Sequence, residues 1–174
     1  NGIENDQMKA DALSFRDRFS SIVFGNPLLT TEEDNQAVVQ AVAGEFQDMD
    51  QETALVLMGH GTEHYANSVY AALDYRFKDM GHKNIFLGTV EAYPALDSLL
   101  RAADSFQPKK IVLAPFMIVA GDHARNDLAG AEADSWDSIL KADGFETEVI
   151  MKGLGEIDAI AEMFVKHLKK AESL

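Results

Sequence analysis

Two histidines follow apolar runs that we interpret as strands. His60 lies between two glycines directly after a run that ends at Met58, and His123 follows Gly121-Asp122 beyond a run that ends near Ala114. Because the carboxyl ends of parallel strands meet at one edge of a sheet, the two imidazoles can face each other across one cleft. Imidazole binds first-row divalent metals and accepts protons near neutral pH. A single histidine in such a place is often only a capping or hydrogen-bonding group, but the pair predicts a shared site.

Carboxylates near the same sheet edge offer further candidates. Glu91 follows a third apolar run, which ends near Leu87. Its carboxylate could bind a metal, accept a proton or cap the helix that follows Pro94, and the sequence leaves these roles open. The full set of acidic candidates is Glu63, Glu91, Asp122 and Asp127.

The other histidines carry weaker signals. His64 lies four residues after His60, which is the spacing that holds zinc in some proteases, but those enzymes have Glu where this chain has Gly61. We therefore expect His64 in the first turn of a helix, near the mouth of the cleft. His82 and His167 are predicted to lie at the surface.

Cysteine is absent from the 174 residues, which excludes disulfides, thiolate catalysis and iron–sulfur clusters. A metal site must then use His, Asp or Glu, a donor set suited to first-row divalent ions. The sequence contains no Walker loop, no G-x-G-x-x-G and no G-x-S-x-G, and Gly153-Leu154-Gly155 has too few glycines for a dinucleotide site. We expect no nucleotide cofactor.

The chain is strongly acidic, with 29 acidic against 15 basic residues and a formal charge of −14. Such a surface repels nucleic acid and anionic membranes, and it attracts cations. No apolar run approaches the roughly 18–20 residues of a membrane span. The predicted partners therefore include neither nucleic acid nor a membrane.

Short β-branched runs alternate with longer amphipathic segments, which predicts an α/β fold with a mostly parallel sheet and helices on both faces. Near-continuous apolar runs indicate strands that are covered on both sides. The predicted strands are 21–24, 54–58, 84–87, 110–114 and 148–150, and the predicted helices are 31–49, 63–80, a segment after Pro94, 134–142 and 157–170. In the last helix Ile160, Phe164 and Leu168 are expected to point inward.

Four motifs in this order resemble those of the anaerobic sirohydrochlorin cobaltochelatases. These enzymes are class II chelatases, which need no ATP and share their fold with protoporphyrin ferrochelatase. The resemblance covers essentially the whole chain, and the segment from Gly121 followed by Asp134-Ser135-Trp136 is its most specific part. The motifs are Met58-Gly59-His60-Gly61, Val90-Glu91-Ala92-Tyr93-Pro94, Val119-Ala120-Gly121-Asp122-His123-Ala124-Arg125-Asn126-Asp127 and Gly153-Leu154-Gly155-Glu156.

The resemblance implies a metal held by two histidines and one glutamate. His60 and His123 match the histidines, and Glu4 matches the glutamate, because the chain begins Asn1-Gly2-Ile3-Glu4, like the family's Asn-Gly-x-Glu turn. These three residues are the predicted catalytic and metal-binding set, with His60 as the general base that takes a pyrrole proton. The residues expected to contact sirohydrochlorin are Arg125, Glu91, Tyr93 and His64. Arg125 is the best-placed cation for the carboxylates of this substrate, which the net charge of the chain repels.

Members of the family normally carry an N-terminal half with a Gly-Thr-Ser loop, which this sequence lacks. We therefore expect residues 1–30 to be a remnant of that half with its crossover, and residues 31–174 to form the C-terminal α/β chelatase domain. The missing half would be part of the same polypeptide or a separate chain, and a homo-oligomer is possible. The resemblance implies a cytoplasmic protein, or a periplasmic one if a signal peptide was removed.

The resemblance implies cobalamin biosynthesis, with Co²⁺ as the inserted metal, and the sequence leaves two alternatives open. One is insertion of a different ion, Fe²⁺ towards sirohaem or Ni²⁺, because the predicted ligands do not separate these ions. The other is a non-enzymatic carrier of metal or tetrapyrrole, which would bind its ligand without turnover.

Overall fold

The computed structural model describes residues 2–103 and 105–173, and its centre is a four-stranded parallel sheet in the order β3-β2-β4-β5. A second, antiparallel pair joins β1 to β6 near the two ends of the chain. The strands are β1 Val23–Phe24, β2 Thr53–Gly59, β3 Ile85–Thr89, β4 Lys110–Pro115, β5 Glu146–Val149 and β6 Glu172–Ser173; the helices are α1 Ile3–Ser14, α2 Glu32–Glu45, α3 Ser68–Asp79, α4 Leu96–Ala103, α5 Trp136–Ala142 and α6 Asp158–Lys169.

The side chains of the central strands alternate between two apolar layers, as the pleat of a strand requires. Leu55 and Leu57 of β2 join the layer that contains Val38 of α2, Phe77 of α3 and Ile160 of α6. The opposite face contributes its side chains to a layer with α4 and α5, built from Val56, Met58, Leu99, Trp136 and Leu140. The predicted α/β class, with a parallel sheet covered on both faces, is confirmed.

Local capping signals set the beginnings of two helices. The Thr31 hydroxyl accepts a hydrogen bond from the Asp34 backbone N–H at 3.1 Å, at the start of α2. Ser135 caps α5 in the same way through Ser138 N–H, and its own hydroxyl donates to the Gly130 carbonyl at 2.7 Å. The Asp134-Ser135-Trp136 motif therefore acts structurally, by anchoring the start of α5 to the preceding loop.

Several sequence predictions for single elements were wrong. The helix predicted from about residue 63 begins at Ser68, because His64 caps a separate short turn over Tyr65–Asn67. The last strand of the sheet, β5, alternates exposed and half-buried residues, because Glu146 and Glu148 occupy its outward positions; β3, at the opposite edge, is buried throughout. The run 21–24 does not enter the main sheet at all, and only two of its residues pair with β6.

The inner face of α6 is shorter than predicted. Ile160 is fully buried, whereas Phe164 and Leu168 are 39% and 65% exposed. Toward the end of the helix a polar contact replaces apolar packing. The His167 side chain is only 13% exposed, with Nε2 at 2.9 Å from Asp34 Oδ1 of α2 and Nδ1 at 2.8 Å from the Asn26 carbonyl oxygen. The surface location predicted for His167 is therefore wrong.

Residues 2–30 contain α1, which the sequence patterns did not predict. The helix has no strong apolar face, and Phe15 and Phe19 just beyond it are more than half exposed. The domain division after residue 30 stays a prediction, and Asn1 of the predicted Asn-Gly-x-Glu turn lies outside the described residues. Within 2–103 and 105–173, no helix combines the length and the apolar character needed to cross a membrane.

Candidate metal centre

His60 is the first residue beyond β2, at the carboxyl edge of the sheet. Gly61 follows with a φ of +89°, a left-handed conformation that residues with a side chain rarely adopt. This turn directs the chain away from the sheet, and the His60 side chain remains 42% exposed at the edge. The glycine turn therefore presents the His60 side chain at the sheet edge.

Glu91 is held beside His60 because the β2–β3 ladder continues past the ends of the two strands. Val90 N–H donates to the Gly59 carbonyl and Glu91 N–H donates to the His60 carbonyl, both at 3.0 Å. The Glu91 side chain is 52% exposed, and its Oε2 lies 3.7 Å from His60 Nε2. Backbone pairing thus brings a carboxylate to the first histidine.

His123 reaches the same edge from β4 through a loop that is pinned by its backbone. Leu154 N–H donates to the Met117 carbonyl at 2.7 Å and Gly155 N–H donates to the Ile118 carbonyl at 2.9 Å. A Cβ at Gly153 would lie only 2.6 Å from the Ile118 carbonyl oxygen, so only glycine fits there. The Gly-Leu-Gly segment therefore positions the loop that leads to His123.

The three groups form one cluster of ligand atoms. The His60 and His123 Nε2 atoms lie 2.9 Å apart, and one ligand atom from each of His60, Glu91 and His123 falls within 4.8 Å of the others. Metal–nitrogen bonds of about 2.1 Å to two nitrogens at this separation would subtend about 90°. This angle suits two adjacent positions around an octahedral ion.

Hydrogen bonds at the other ring nitrogens set the direction of both imidazoles. His60 Nδ1 lies 3.1 Å from the Gly61 carbonyl oxygen, and His123 Nδ1 lies 2.7 Å from Asp127 Oδ2. Both of these partners are acceptors, and a neutral ring that donates from Nδ1 presents its Nε2 lone pair towards the other ring. The arrangement can receive a cation at the two Nε2 atoms.

Glu4, the third ligand implied by the family resemblance, is not brought into this cluster. It lies in the first turn of α1 with an exposed side chain, and the described residues that group with the two histidines include Glu91 instead. The predicted turn at Glu4 is a helix in the structure. Its role as a ligand stays a prediction, and Glu91, which we expected to contact the tetrapyrrole, stands in that position.

The other residues predicted to contact substrate lie around the cluster or on its loops. Tyr93 is 68% exposed, and its carbonyl accepts a hydrogen bond at 2.7 Å from Asn67, whose side-chain oxygen accepts from Thr62 N–H. Arg125 is exposed, two residues after His123. His64 Nδ1 accepts from Ala66 N–H at 3.2 Å, and its ring faces a cavity of about 730 Å³ between α1, α2 and α3. Asp122 and Glu63 are not among the three clustered groups.

An apolar cavity of about 380 Å³ opens beside His60. Its wall includes Tyr70, Phe116, Met117 and Leu154. Burial raises the pKa of the Tyr70 phenol above its ordinary value of 10.0, and the charge of Glu4 adds to this, against hydrogen bonds with the backbone at Gly61 and His60. Tyr70 therefore stays neutral at physiological pH and adds no charge to the cavity wall beside His60.

Sequence reasoning missed two features of this centre. The first is the pairing of Glu91 with His60, whose signal was available in the parallel strands that end at Met58 and Leu87. The second is the contact between His123 Nδ1 and the Asp127 carboxylate, whose signal was the spacing of four residues, which places two side chains on one face of a helical turn. Asp127 had appeared only among the acidic candidates.

The amino-acid sequence is similar to those of known metal chelatases. Residues 1–173 match the family model described as cobalt chelatase (CbiK). The chain is 35% identical over 171 residues to the sirohydrochlorin cobaltochelatase of Salmonella typhimurium, and 30% identical over 175 residues to the sirohydrochlorin cobaltochelatase CbiKC of Nitratidesulfovibrio vulgaris. These alignments cover 98% and 99% of this chain, but only 64% and 62% of the relatives' own lengths. The match along the whole chain shows that it belongs to the cobalt chelatase (CbiK) family.

Proposed function

We propose that this protein inserts Co²⁺ into sirohydrochlorin without ATP. The observation that carries the proposal is the cluster of His60, Glu91 and His123, whose ligand atoms come from three loops at one sheet edge and lie within 4.8 Å of one another. Two imidazoles and a carboxylate form a donor set for a first-row divalent ion. The names of the two relatives supply the tetrapyrrole and the metal.

In this proposal Co²⁺ is a substrate that His60 Nε2, His123 Nε2 and Glu91 hold for transfer. All three side chains are between 42% and 52% exposed, so the ion can arrive from solvent and leave towards a macrocycle. Insertion exchanges one M²⁺ for two pyrrole protons, which conserves total charge. His60 Nε2 can accept one of these protons once the ion has passed to the ring, and we assign this task to it. The second proton passes to solvent, to which the site is open.

The loops around the cluster present apolar side chains that suit the flat face of a macrocycle. Val119 and Tyr93 are about two-thirds exposed, and Ile118 is 45% exposed. Such exposed apolar groups commonly mark ligand-binding surfaces. We propose that the ring lies against them and against the apolar cavity beside His60, and that Arg125 pairs with a carboxylate of the ring.

Turnover tests this proposal directly. Sirohydrochlorin in excess over protein, with Co²⁺ and without ATP, should be converted many times per protein molecule, as followed by absorbance of the tetrapyrrole. A carrier would stop at one equivalent. His60→Ala should retain the circular dichroism of the folded protein and lose about 100-fold or more of the rate. A near-normal rate in this variant would remove His60 from the mechanism.

Parallel assays with Fe²⁺ and Ni²⁺ decide between the metals. If Fe²⁺ gives the higher kcat/KM under matched anaerobic conditions, the protein is a sirohydrochlorin ferrochelatase. The three ligands do not by themselves select among these ions, since the affinity of such a site for divalent metals follows the Irving–Williams order.

A further inference from the structure

We propose that Asp127 is a positioning residue for metal insertion, which holds the proton of His123 on Nδ1 and keeps the Nε2 lone pair free for the metal. The inference rests on the proposed function, because only there does His123 act as a metal ligand. It concerns a side chain that touches neither the metal nor the macrocycle in that proposal, and that acts through the histidine ring.

The contact is short and directional. Asp127 Oδ2 lies 2.7 Å from His123 Nδ1, the distance of a charge-assisted hydrogen bond. The corresponding nitrogen of His60 bonds the Gly61 carbonyl, which is backbone. Among the described residues, Asp127 is thus the one side chain that hydrogen-bonds Nδ1 of either predicted histidine ligand.

The fold fixes Asp127 in this place. His123 precedes Ala124, and Asp127 precedes Leu128, and both of these apolar residues are fully buried. Burial of positions 124 and 128 leaves 123 and 127 together on the adjoining side of the same helical turn. The turn, Ala124–Leu128, is wound as a π-helix, a form that frequently occurs at functional sites.

Loss of the Asp127 carboxylate would change the contact between the His60 and His123 rings. A neutral His123 without a partner at Nδ1 can carry its proton on Nε2 instead. That N–H would point at His60 Nε2, 2.9 Å away, and form a hydrogen bond between the rings. The bond would occupy both nitrogens that the metal needs. Asp127 opposes this hydrogen bond between the rings, because it holds the His123 proton on Nδ1 and leaves Nε2 available to the metal.

The tautomer can be measured without any substrate. In ¹⁵N-histidine-labelled protein, long-range ¹H–¹⁵N spectra at a pH where the rings are neutral should show His123 protonated on Nδ1. Asp127→Ala should move this proton towards Nε2, and Asp127→Glu should restore the original pattern at least in part. Retention of the Nδ1–H form in Asp127→Ala would overturn the proposal.

Affinity for Co²⁺ alone gives the second readout. Removal of such an outer partner typically weakens metal binding by 10–100-fold, and we expect a loss of about this size in Asp127→Ala. Asp127→Asn fills the same space and should fold normally, with a smaller loss and a mixture of tautomers. Asp122→Asn is the matched control, because Asp122 is adjacent to His123 but exposed, and we expect unchanged binding.

The possible results separate this inference from the function on which it rests. Wild-type affinity and tautomer in both Asp127→Asn and Asp127→Ala would refute the positioning role while leaving chelation intact. Wild-type protein that binds Co²⁺ but never converts sirohydrochlorin would refute the proposed function, and the tautomer shift would still report on Asp127. An equal loss of affinity in Asp122→Asn would show a general charge effect and would also contradict the proposal.

Discussion

His60 Nε2 and His123 Nε2 face each other at 2.9 Å, although 62 residues separate the two histidines in the sequence. Their rings meet edge to face, with an interplanar angle of 72° and centroids 4.3 Å apart. Each ring is held from behind by an acceptor at Nδ1. The two nitrogens are therefore close enough to contact one ion, and Glu91 is the third group of the cluster.

Glu91, rather than Glu4, should control metal affinity. Glu91→Gln keeps the size of the side chain but removes the charge 3.7 Å from His60 Nε2, and we expect Co²⁺ binding to weaken at least about 10-fold. Glu4→Gln is the matched control and should bind Co²⁺ as the wild type does. Isothermal titration with Co²⁺ alone checks both. The reverse pattern would support the ligand set implied by the family resemblance.

Arg125 should affect affinity for the tetrapyrrole and leave metal affinity nearly unchanged. Reversal of its charge in Arg125→Glu would repel a carboxylate-rich substrate, and we expect KM for sirohydrochlorin to rise about 10-fold. This rise corresponds to a loss of about 1.4 kcal/mol in binding free energy. Lys169→Glu makes the same change at an exposed position near the end of α6 and should leave KM unaltered. Equal KM values in wild type and Arg125→Glu would exclude Arg125 from the substrate site.

His167 should contribute to stability without a role in catalysis. The ring joins α6 to Asp34 of α2 and to the Asn26 carbonyl, and Asp34 is 5% exposed. His167→Ala leaves a buried carboxylate without its partner, so unfolding free energy in urea should fall by about 2–4 kcal/mol. Glu162→Ala, at an exposed position of the same helix, should change it by less than about 0.5 kcal/mol. Similar values for the two variants would contradict this account of the pair.

Asp137 should stabilise the fold in a pH-dependent way. Burial alone would raise the pKa of this carboxyl, but hydrogen bonds from Lys141 and Thr147 outweigh burial and lower the pKa below the ordinary value of 3.8. The Thr147 hydroxyl lies 2.5 Å from Asp137 Oδ1, which connects α5 to β5. Since the folded state binds the proton less readily than the unfolded chain, this stabilisation is present above pH 3.8 and is lost as pH falls through the lower folded value.

Asp137→Asn tests this dependence. At pH 7 it should reduce the free energy of unfolding by about 1–2 kcal/mol, and the difference from wild type should shrink as the solution is acidified below the ordinary pKa of the carboxyl. Asp143→Asn, at an exposed position just after α5, should show no such trend. A difference between wild type and Asp137→Asn that stays constant down to pH 3 would argue against the carboxylate as the source.

The α/β class and the two histidines of the candidate site can be predicted from the amino-acid sequence alone. A near-continuous apolar run such as the one ending at Met58 predicts a strand that is buried on both faces. Such strands are typical of a parallel sheet between two layers of helices. In such a sheet the residues after neighbouring strands converge, and this rule predicts that His60 and His123 meet.

Features that depend on strand register and on the ends of elements follow only from the packing of the folded chain. The two edge strands differ, since β3 is buried throughout whereas β5 alternates, and Leu168 is exposed because the apolar core does not extend to the end of α6. Hydrophobic periodicity does not predict how deeply these residues are buried, because burial depends on which other elements pack beside them.

The same distinction applies to the metal centre. That Glu91 rather than Glu4 joins the two histidines is set by the hydrogen bonds from residues 90 and 91 to the end of β2. The direction in which each Nε2 atom points is set by the acceptor that contacts Nδ1 on the other side of the ring. Composition and spacing fix which donor atoms are available, but distances between atoms on separate loops are fixed only when the strands that carry them pair in one register.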